Sequence, residues 1–415
     1  MNILVIGGGG REHAIVKKLK ESKRTGELYC LPGNAGIAGD AICLPGKPTD
    51  FERVKAAVKE HNIDLVFVAP DDPLSLGLVD ELNKIGVRAF GPQKSAARLE
   101  GSKAYSKDFM RRHGIPTAAY ECFSDYEAAR KYIKAAEYPL VLKADGLALG
   151  KGVLICKSIE EAEDGLKKLM LDRAFGDSGN TVVVEEFLTG REVTVLAFTD
   201  GKTVRCMPSS QDHKRAYDGD EGLNTGGMGA FAPSPYFTPE LFLEAEKNIF
   251  IPTIEGLNAD GITYKGVIYF GLMMTAKGVK VIEYNSRFGD PEAEAVLPLL
   301  KTDLVDIVDA CIDGTLDKTE VEWLDKTGFT VVVASGGYPE NVVKGYPITI
   351  GNLRGVTLYH AGTAIKDGAL VTNGGRVFDV TAVADNIEEA REIVYREIGK
   401  IKFEGARYRS DIGRV

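Results

Sequence analysis

The chain has 415 residues, 44% hydrophobic and 27% charged, the composition of an ordinary globular protein with room for two to four domains. Its net charge of −9 argues against a nucleic-acid partner. Met1 to Ile6 has neither the basic region nor the cleavage site of a signal peptide, no apolar run approaches a membrane span, and the six cysteines stand singly, so the expectation is a reduced, cytoplasmic protein.

Asn2 to Ile6 reads as a buried strand. Gly7-Gly8-Gly9-Gly10 follows, then Arg11-Glu12-His13 and a helix to about Lys20. Strand, glycine turn and helix N-terminus make an anion site from backbone N–H groups and the helix dipole. The dinucleotide fingerprint fails here, because Glu12 stands where the third glycine belongs and the next strand, Leu28 to Leu31, ends in Pro32-Gly33-Asn34 with no acidic residue for a ribose. The phosphate of a smaller ligand fits better. Asp64 to Ala69 is a further buried strand, and Asp71 and Asp72 lie at its carboxyl end, where open α/β sheets bind ligands. A helix from Gly77 to Ile85 and a strand at Arg88 to Phe90 complete a small α/β domain ending near Gln93.

A single helical stretch is expected over Lys94 to His113. The strand Pro139 to Lys143 then enters Ala144-Asp-Gly-Leu-Ala-Leu-Gly-Lys-Gly-Val153. This run is not a Walker A loop: the gap between Gly146 and Gly150 is one residue short, and Gly152 replaces the required Ser or Thr. Strand residues follow, so the loop joins two antiparallel strands and can fold over nucleotide phosphates with Lys151 at its tip. Thr181 to Leu188 is a strand running into a connector. It can offer backbone groups to an adenine, with Glu192 offering a carboxylate to a ribose hydroxyl. From Tyr217 to Gly229 the chain has too much glycine and charge for core and reads as a long functional loop. Helices are expected over Pro239 to Leu257, then paired strands Lys265 to Thr275 and Gly278 to Asn285, and a helix from Ala293 to Asp313. Strands, glycine turns and a closing helix from Asn386 to Ile401 fill the remainder.

The stretch Val281-Ile-Glu-Tyr-Asn-Ser-Arg-Phe-Gly-Asp-Pro-Glu292 organises the chemistry. Glu283 and Asn285 are two apart on a strand, so both side chains share a face. A carboxylate beside an amide oxygen suits Mg²⁺ that also holds phosphates. Arg287 continues that face, as a guanidinium fork for a phosphoryl group in transfer.

Several of these runs together resemble the phosphoribosylamine–glycine ligases (glycinamide ribonucleotide synthetases) of the ATP-grasp superfamily. The runs are Gly7 to Ala14, Leu99 to Lys103, Lys143 to Val153, Gln211 to Arg215, Asn224 to Ala230 and Asn285 to Glu292. The resemblance covers nearly the whole chain. It implies an α/β and α+β multidomain fold: an open parallel α/β domain (1–101), an ATP-grasp domain (102–315) with a mobile lid over about 120–190, and a C-terminal mixed β domain (325–415). It implies a ligase of purine biosynthesis that joins glycine to 5-phosphoribosylamine at the expense of ATP, with Mg²⁺ or Mn²⁺, through glycyl phosphate. Other purine enzymes are the macromolecular partners it leaves open, with no membrane among them.

Residue by residue, the resemblance puts Lys103 and Lys143 on the ATP phosphates with the loop glycines Gly146, Gly150 and Gly152 and Lys151. Glu185, Glu186, Phe187 and Leu188 become the adenine connector, Glu192 the ribose carboxylate, and Glu283 and Asn285 the metal ligands. The phosphoribosyl group falls between Gly9, Gly10, Arg11, Asp71 and Asp290, with Arg376 on its phosphate. Asn224, Gly226 and Gly227 belong to the same substrate side, and Asp212, Lys214 and Arg215 to the glycine and acyl-phosphate end. Arg287, Asp290, Asp212 and Lys214 are the expected catalytic groups. Asp71 is one methylene shorter than the usual glutamate, and Leu223, Ser286 and Glu294 also depart from the commonest forms. The place of a further acidic metal ligand falls on Gly271. Two other readings compete: a different ATP-grasp carboxylate–amine ligase, and a nucleotide-binding module without catalysis.

Overall fold

Five parallel strands near the N-terminus form a sheet in the order Ile42–Cys43, Leu28–Pro32, Ile3–Gly7, Leu65–Val68, Arg88–Phe90. Ile3–Gly7 and Leu65–Val68 are buried along their whole length, which is why both read as continuous apolar runs. The strand order reverses between these two, so their carboxyl ends, which carry Gly8 to Gly10 and Pro70-Asp71, flank the crevice where such sheets take ligands. The structure is a computed structural model and describes residues 1–147, 152–174 and 176–414.

Two antiparallel four-stranded sheets follow. One runs Tyr120–Phe123, Val182–Glu186, Leu140–Ala144, Val153–Cys156. The other runs Val204–Cys206, Arg191–Thr199, Gly266–Thr275, Gly278–Asn285. A fourth sheet, of five antiparallel strands, Gln211–Asp212, Gly229–Ala232, Thr327–Ala334, Arg376–Ala384, Thr357–His360, joins the middle of the chain to its end. The helix Ile387–Ile398 covers that sheet through Ala390, Val394 and Ile398. A single apolar core spans Val5 and Phe67 of the first sheet, Phe198 and Phe288 of the central part, and Val305 and Val308 of the helix Leu304–Asp313. Packing of that density holds the walls of the crevice in fixed relation.

Three sequence expectations are corrected locally. The helix expected over 94–113 is two, Lys94–Gly101 and Lys103–Arg112, because Ser102 is extended and its Oγ caps the second by accepting from the Tyr105 N–H. The helix expected over 293–313 is likewise broken: Glu292–Val296, a 3₁₀ turn Leu297–Leu299 containing Pro298, then Leu304–Asp313 capped by Asp303. The loop expected over 217–229 contains a short hairpin, Arg215–Tyr217 with Glu221–Asn224, and leads into the strand Gly229–Ala232. Asp71, at the carboxyl end of its strand, opens the helix Asp71–Leu76, so its carboxylate sits at a positive helix end.

Candidate active site

The sheets meet around a cleft of about 650 Å³. Its floor is the strand Gly278–Asn285, on which Glu283 and Asn285 both line the cleft, as period-two geometry requires. Glu283 pairs across the ladder with Gly271, beside a bulge at Ile282. A Cβ on Gly271 would stand 3.2 Å from Glu283 Cγ, so glycine leaves this carboxylate room. Burial alone would raise the Glu283 carboxyl, but Lys214, Lys143, Lys103 and Arg287 outweigh it and hold the group below its ordinary range. The carboxylate therefore stays ionised, as a metal ligand must. Asn285 Oδ1 is held in place by Arg287 Nη2 at 3.2 Å.

Arg287 is itself fixed by Glu100, 2.8 Å away and buried, whose other oxygen accepts from the Ser286 N–H at 2.7 Å. Sequence reading gave Glu100 no role: it sits in the run Leu99 to Lys103, but its partner Arg287 lies far off in the chain. Sequence reading also missed Lys107. Lys107 is one helical turn beyond Lys103, 2% exposed, and donates to Thr117 Oγ1 at 2.7 Å. Its Nζ lies 3.0 Å from Glu185 Oε2, while Lys143 Nζ lies 3.0 Å from Glu185 Oε1. One carboxylate thus stands between two buried lysines. Burial, opposed by Glu185, brings the Lys107 amine down to about 8. The i, i+4 spacing of the two lysines is the signal that a helix-face reading would have caught.

Lys103 also lines the cleft and donates to the Gly146 carbonyl at 2.8 Å, while Asp145 accepts from Ser102 Oγ and the Ala104 N–H. The glycine loop is anchored at that end, and Gly152 at the other lines the cleft too. Gly150 and Lys151 lie outside the described residues. Glu186, Phe187 and Leu188 line the cleft, with Glu186 engaged by Lys280 at 2.8 Å and Phe187 exposed. Glu192 is paired with Lys214 at 2.8 Å, and Asp212 lies next to them in the cleft. Enclosure pushes the Asp212 carboxyl up to about 7 against the pull of Lys214.

At the far end Asp290 Oδ1 meets Arg376 Nη1 at 2.9 Å, and the same guanidinium donates to the carbonyls of Asp290 and Gly226. Gly226 donates its N–H to the Tyr338 hydroxyl. Arg11, Asp71 and Asn224 complete this wall. Gly9 faces Asp290, a Cβ there standing 3.6 Å from Asp290 Oδ2. The glycine turn itself differs from expectation: the N–H groups of Gly8 and Gly9 already go to Glu12 Oε2, at 3.2 and 2.6 Å. The residue that spoiled the dinucleotide fingerprint fills the turn with its own carboxylate. Four expected contacts, Gly9 among them, are not in the cleft's lining. Gly10 is buried behind it, Gly227 packs on Pro291, and Arg215 turns back to the Gly222 carbonyl at 2.7 Å.

One end of the cleft thus gathers cations about a carboxylate, and the other gathers carboxylates about an arginine. The chain matches the family descriptions "Phosphoribosylglycinamide synthetase, N domain" over residues 1–100, "ATP-grasp (A) domain" over 101–293 and "C domain" over 328–415. A phosphoribosylamine–glycine ligase of Caldanaerobacter subterraneus subsp. tengcongensis is 48% identical over 99% of both chains. The trifunctional purine biosynthetic protein adenosine-3 of Bos taurus is 46% identical over 99% of this chain and 41% of its own length. The crystal structure of a phosphoribosylamine–glycine ligase from Thermotoga maritima superposes with a TM-score of 0.89 at 37% identity, covering 99% of this chain and all of that one. A biotin carboxylase from Campylobacter jejuni shares the fold at a TM-score of 0.74 and 16% identity, over 98% of this chain and 92% of its own. The chain belongs to the phosphoribosylglycinamide synthetase family.

Proposed function

We propose that this chain is an ATP-dependent, ADP-forming phosphoribosylamine–glycine ligase, and that its reaction runs through glycyl phosphate. The observation that carries the reading is the ring of cations around one ionised carboxylate, Lys103, Lys143, Lys214 and Arg287 about Glu283, in a family whose relatives are named for this reaction. A carboxylate is a poor acylating agent, and transfer of the γ-phosphoryl group makes it a good one. Lys103 and Lys143 hold the nucleotide phosphates, Glu192 takes the ribose, and Glu185 to Leu188 takes the adenine. Glu283 and Asn285 would hold Mg²⁺ or Mn²⁺, which supplies charge neutralisation between phosphate oxygens; two oxygen donors, one ionised, fit such an ion.

Arg287, held by Glu100 and aimed along the same strand, stabilises charge on the transferring phosphoryl group. Glycine binds beside Asp212 and Lys214. Its carboxylate oxygen attacks the γ-phosphorus, ADP leaves, and glycyl phosphate forms. The phosphoribosyl group lies between Arg11, Asp71 and Arg376. The neutral amine of phosphoribosylamine attacks the acyl carbon, Asp290 takes its proton, and inorganic phosphate departs. Closure of the glycine loop keeps water from the acyl phosphate.

Domain limits near 101 and 325, with the lid within 120–190, are part of the proposal, as are a cytoplasmic setting and association with other purine enzymes. Among the described residues no helix is long and apolar enough to cross a membrane. Glycine labelled with ¹⁸O in its carboxylate tests the chemistry: one label should reach inorganic phosphate per turnover. Label retained wholly in the amide product would refute the acyl phosphate, and absence of ADP formation with all three substrates would refute the activity.

A further inference from the structure

Behind the Asp290–Arg376 pair, and outside the cleft's lining, lie two carboxyl groups that the reaction does not use. Glu294 is 0% exposed on the helix Glu292–Val296, and Asp379 is 1% exposed on the strand Arg376–Ala384. All four of their oxygens are buried without a hydrogen-bond partner among the described residues. An oxygen from each, together with one from Asp290, falls within 4.8 Å of the others. The helix Gly10–Lys20 abuts them with its first residue, where any Cβ would collide with Asp379 Oδ2 and Glu294 Oε1.

The charge balance here has few solutions. Arg376 is paired with Asp290 at 2.9 Å, and although its charge also reaches the inner groups, one guanidinium cannot balance three carboxylates. The other group facing them is Tyr359, buried on the neighbouring strand and paired in register with Asp379. Two ionised carboxylates within 4.8 Å of each other, buried and without hydrogen-bond partners among the described residues, would be strongly unfavourable. A bound cation would neutralise them, but it would face both the Arg376 guanidinium and the positive end of an 11-residue helix. A proton meets neither objection. One proton between the two groups leaves a single negative charge, and that charge faces the helix N-terminus, which favours it.

We propose that Glu294 and Asp379 share one proton, and that this half-ionised pair is a positioning device that holds Asp290 and Arg376 at the substrate end of the cleft. It joins three parts of the chain: the first helix, the turn that carries Asp290, and the strand that carries Arg376. Burial and Asp290 push the Asp379 carboxyl up to about 8 and raise Glu294 as well. Both ordinary values lie near 4. A carboxyl raised by folding contributes stability below the unfolded value and loses it as pH rises through the folded one. The pair's contribution should therefore decline from about pH 4 to about pH 8 and be gone above 8, where its proton has left and two anions face Asp290.

The thermal unfolding midpoint of the full chain between pH 6 and 9, with and without EDTA, tests this. The wild-type midpoint should fall by a few degrees relative to Glu294→Gln as pH rises from 6 to 8 and run parallel to it above 8, because the amide supplies the hydrogen permanently. Asp379→Asn, an independent variant, should behave like Glu294→Gln. Parallel curves for wild type and variants between pH 6 and 8 would overturn the shared proton. So would a midpoint that EDTA lowers in the wild type but not in Asp379→Asn, which would mean a cation in its place. The positioning role is read separately with ribose 5-phosphate as probe, and rests on the phosphoribosyl site proposed above. Its stabilisation of the wild type should shrink several-fold from pH 7 to 9, and that of Glu294→Gln should not. Equal loss in both overturns positioning, whereas no stabilisation at any pH refutes the phosphoribosyl site and leaves the unfolding comparison to decide the proton.

Discussion

The two ends of the cleft solve opposite electrostatic problems. At the Glu283 end four cations surround one carboxylate, and the acid is held down despite its burial. At the Asp290 end three carboxylates share one arginine, and the inner acids are driven up. Burial is common to both, so burial does not set the sign; the count of nearby opposite charges does. In the proposed reaction the cation-rich end would receive a polyanion together with its metal. An acid-rich end is prepared for a substrate with an amine, provided one proton keeps its inner pair from repelling the third carboxylate.

Removing the centre of the cation-rich end should have the largest effect. Glu283→Ala should lower ADP formation by at least roughly a thousandfold. Its unfolding free energy should change by no more than about 2 kcal/mol, since the side chain packs against cleft space. A folded variant with near-normal turnover at saturating Mg²⁺ would show that the cation ring serves something other than the metal. Next comes Lys107→Met. Glu185 would then have Lys143 alone, and a lysine locked to a buried carboxylate cannot move to a phosphate. The expected loss is roughly a hundredfold in kcat/KM for ATP, or about 3 kcal/mol. Lys107→Arg should restore part of it. An unchanged kcat/KM for ATP would mean that Lys107 only fills space.

The acid-rich end is docked against the rest of the chain by histidines, and these set its response to low pH. His13 accepts from the His360 N–H at 2.8 Å and meets Asp40 at 3.1 Å. Burial lowers His13, His213 and His360 to about 4 each. Unfolded histidine takes its proton near 6.5, so between 6.5 and 4 the unfolded chain binds more protons and stability falls as pH falls. Unfolding midpoints should therefore drop from pH 6.5 to 4, and His13→Gln should make the drop shallower. A flat profile there would place the carboxyl pair, not the histidines, in control of the acid side as well.

Much of this contrast was legible in the sequence, and unevenly. The parallel strands announced themselves because burial on both faces forces unbroken apolar runs. Glu283 and Asn285 were legible because a strand has period two. The helix breaks at Ser102 and Pro298 were discernible in hindsight as a cap and a breaker, but helical pattern on either side overrode them. Glu12 was noticed as a missing glycine, yet its filling of the turn depends on a side chain curling back three residues. Glu100 and the approach of Glu294 to Asp379 were not legible from local pattern, because each acts through a partner brought close only by the tertiary fold, whereas Lys107 left one trace, its i, i+4 spacing from Lys103. Asp379 meets Glu294 across 85 residues, and no local pattern marks either one.

The smallest predicted effect lies between the two ends, at Glu192. This carboxylate is half-exposed and holds Lys214 at 2.8 Å, while Lys214 also pulls on Asp212 and Glu283. An ion pair so exposed is worth no more than about 1 kcal/mol, so Glu192→Gln should leave stability within that range. Its effect on the reaction should be selective. If a nucleotide ribose displaces Lys214 from Glu192, the lysine becomes available to the acyl-phosphate end only once ATP is bound. Loss of the carboxylate then weakens ATP binding while freeing Lys214 early. KM for ATP should rise roughly three- to tenfold, the equivalent of about 1 kcal/mol, with kcat nearly unchanged. A fall in kcat at constant KM for ATP would show that Glu192 orients Lys214 during the chemical step, and that the handover from one end of the cleft to the other does not occur.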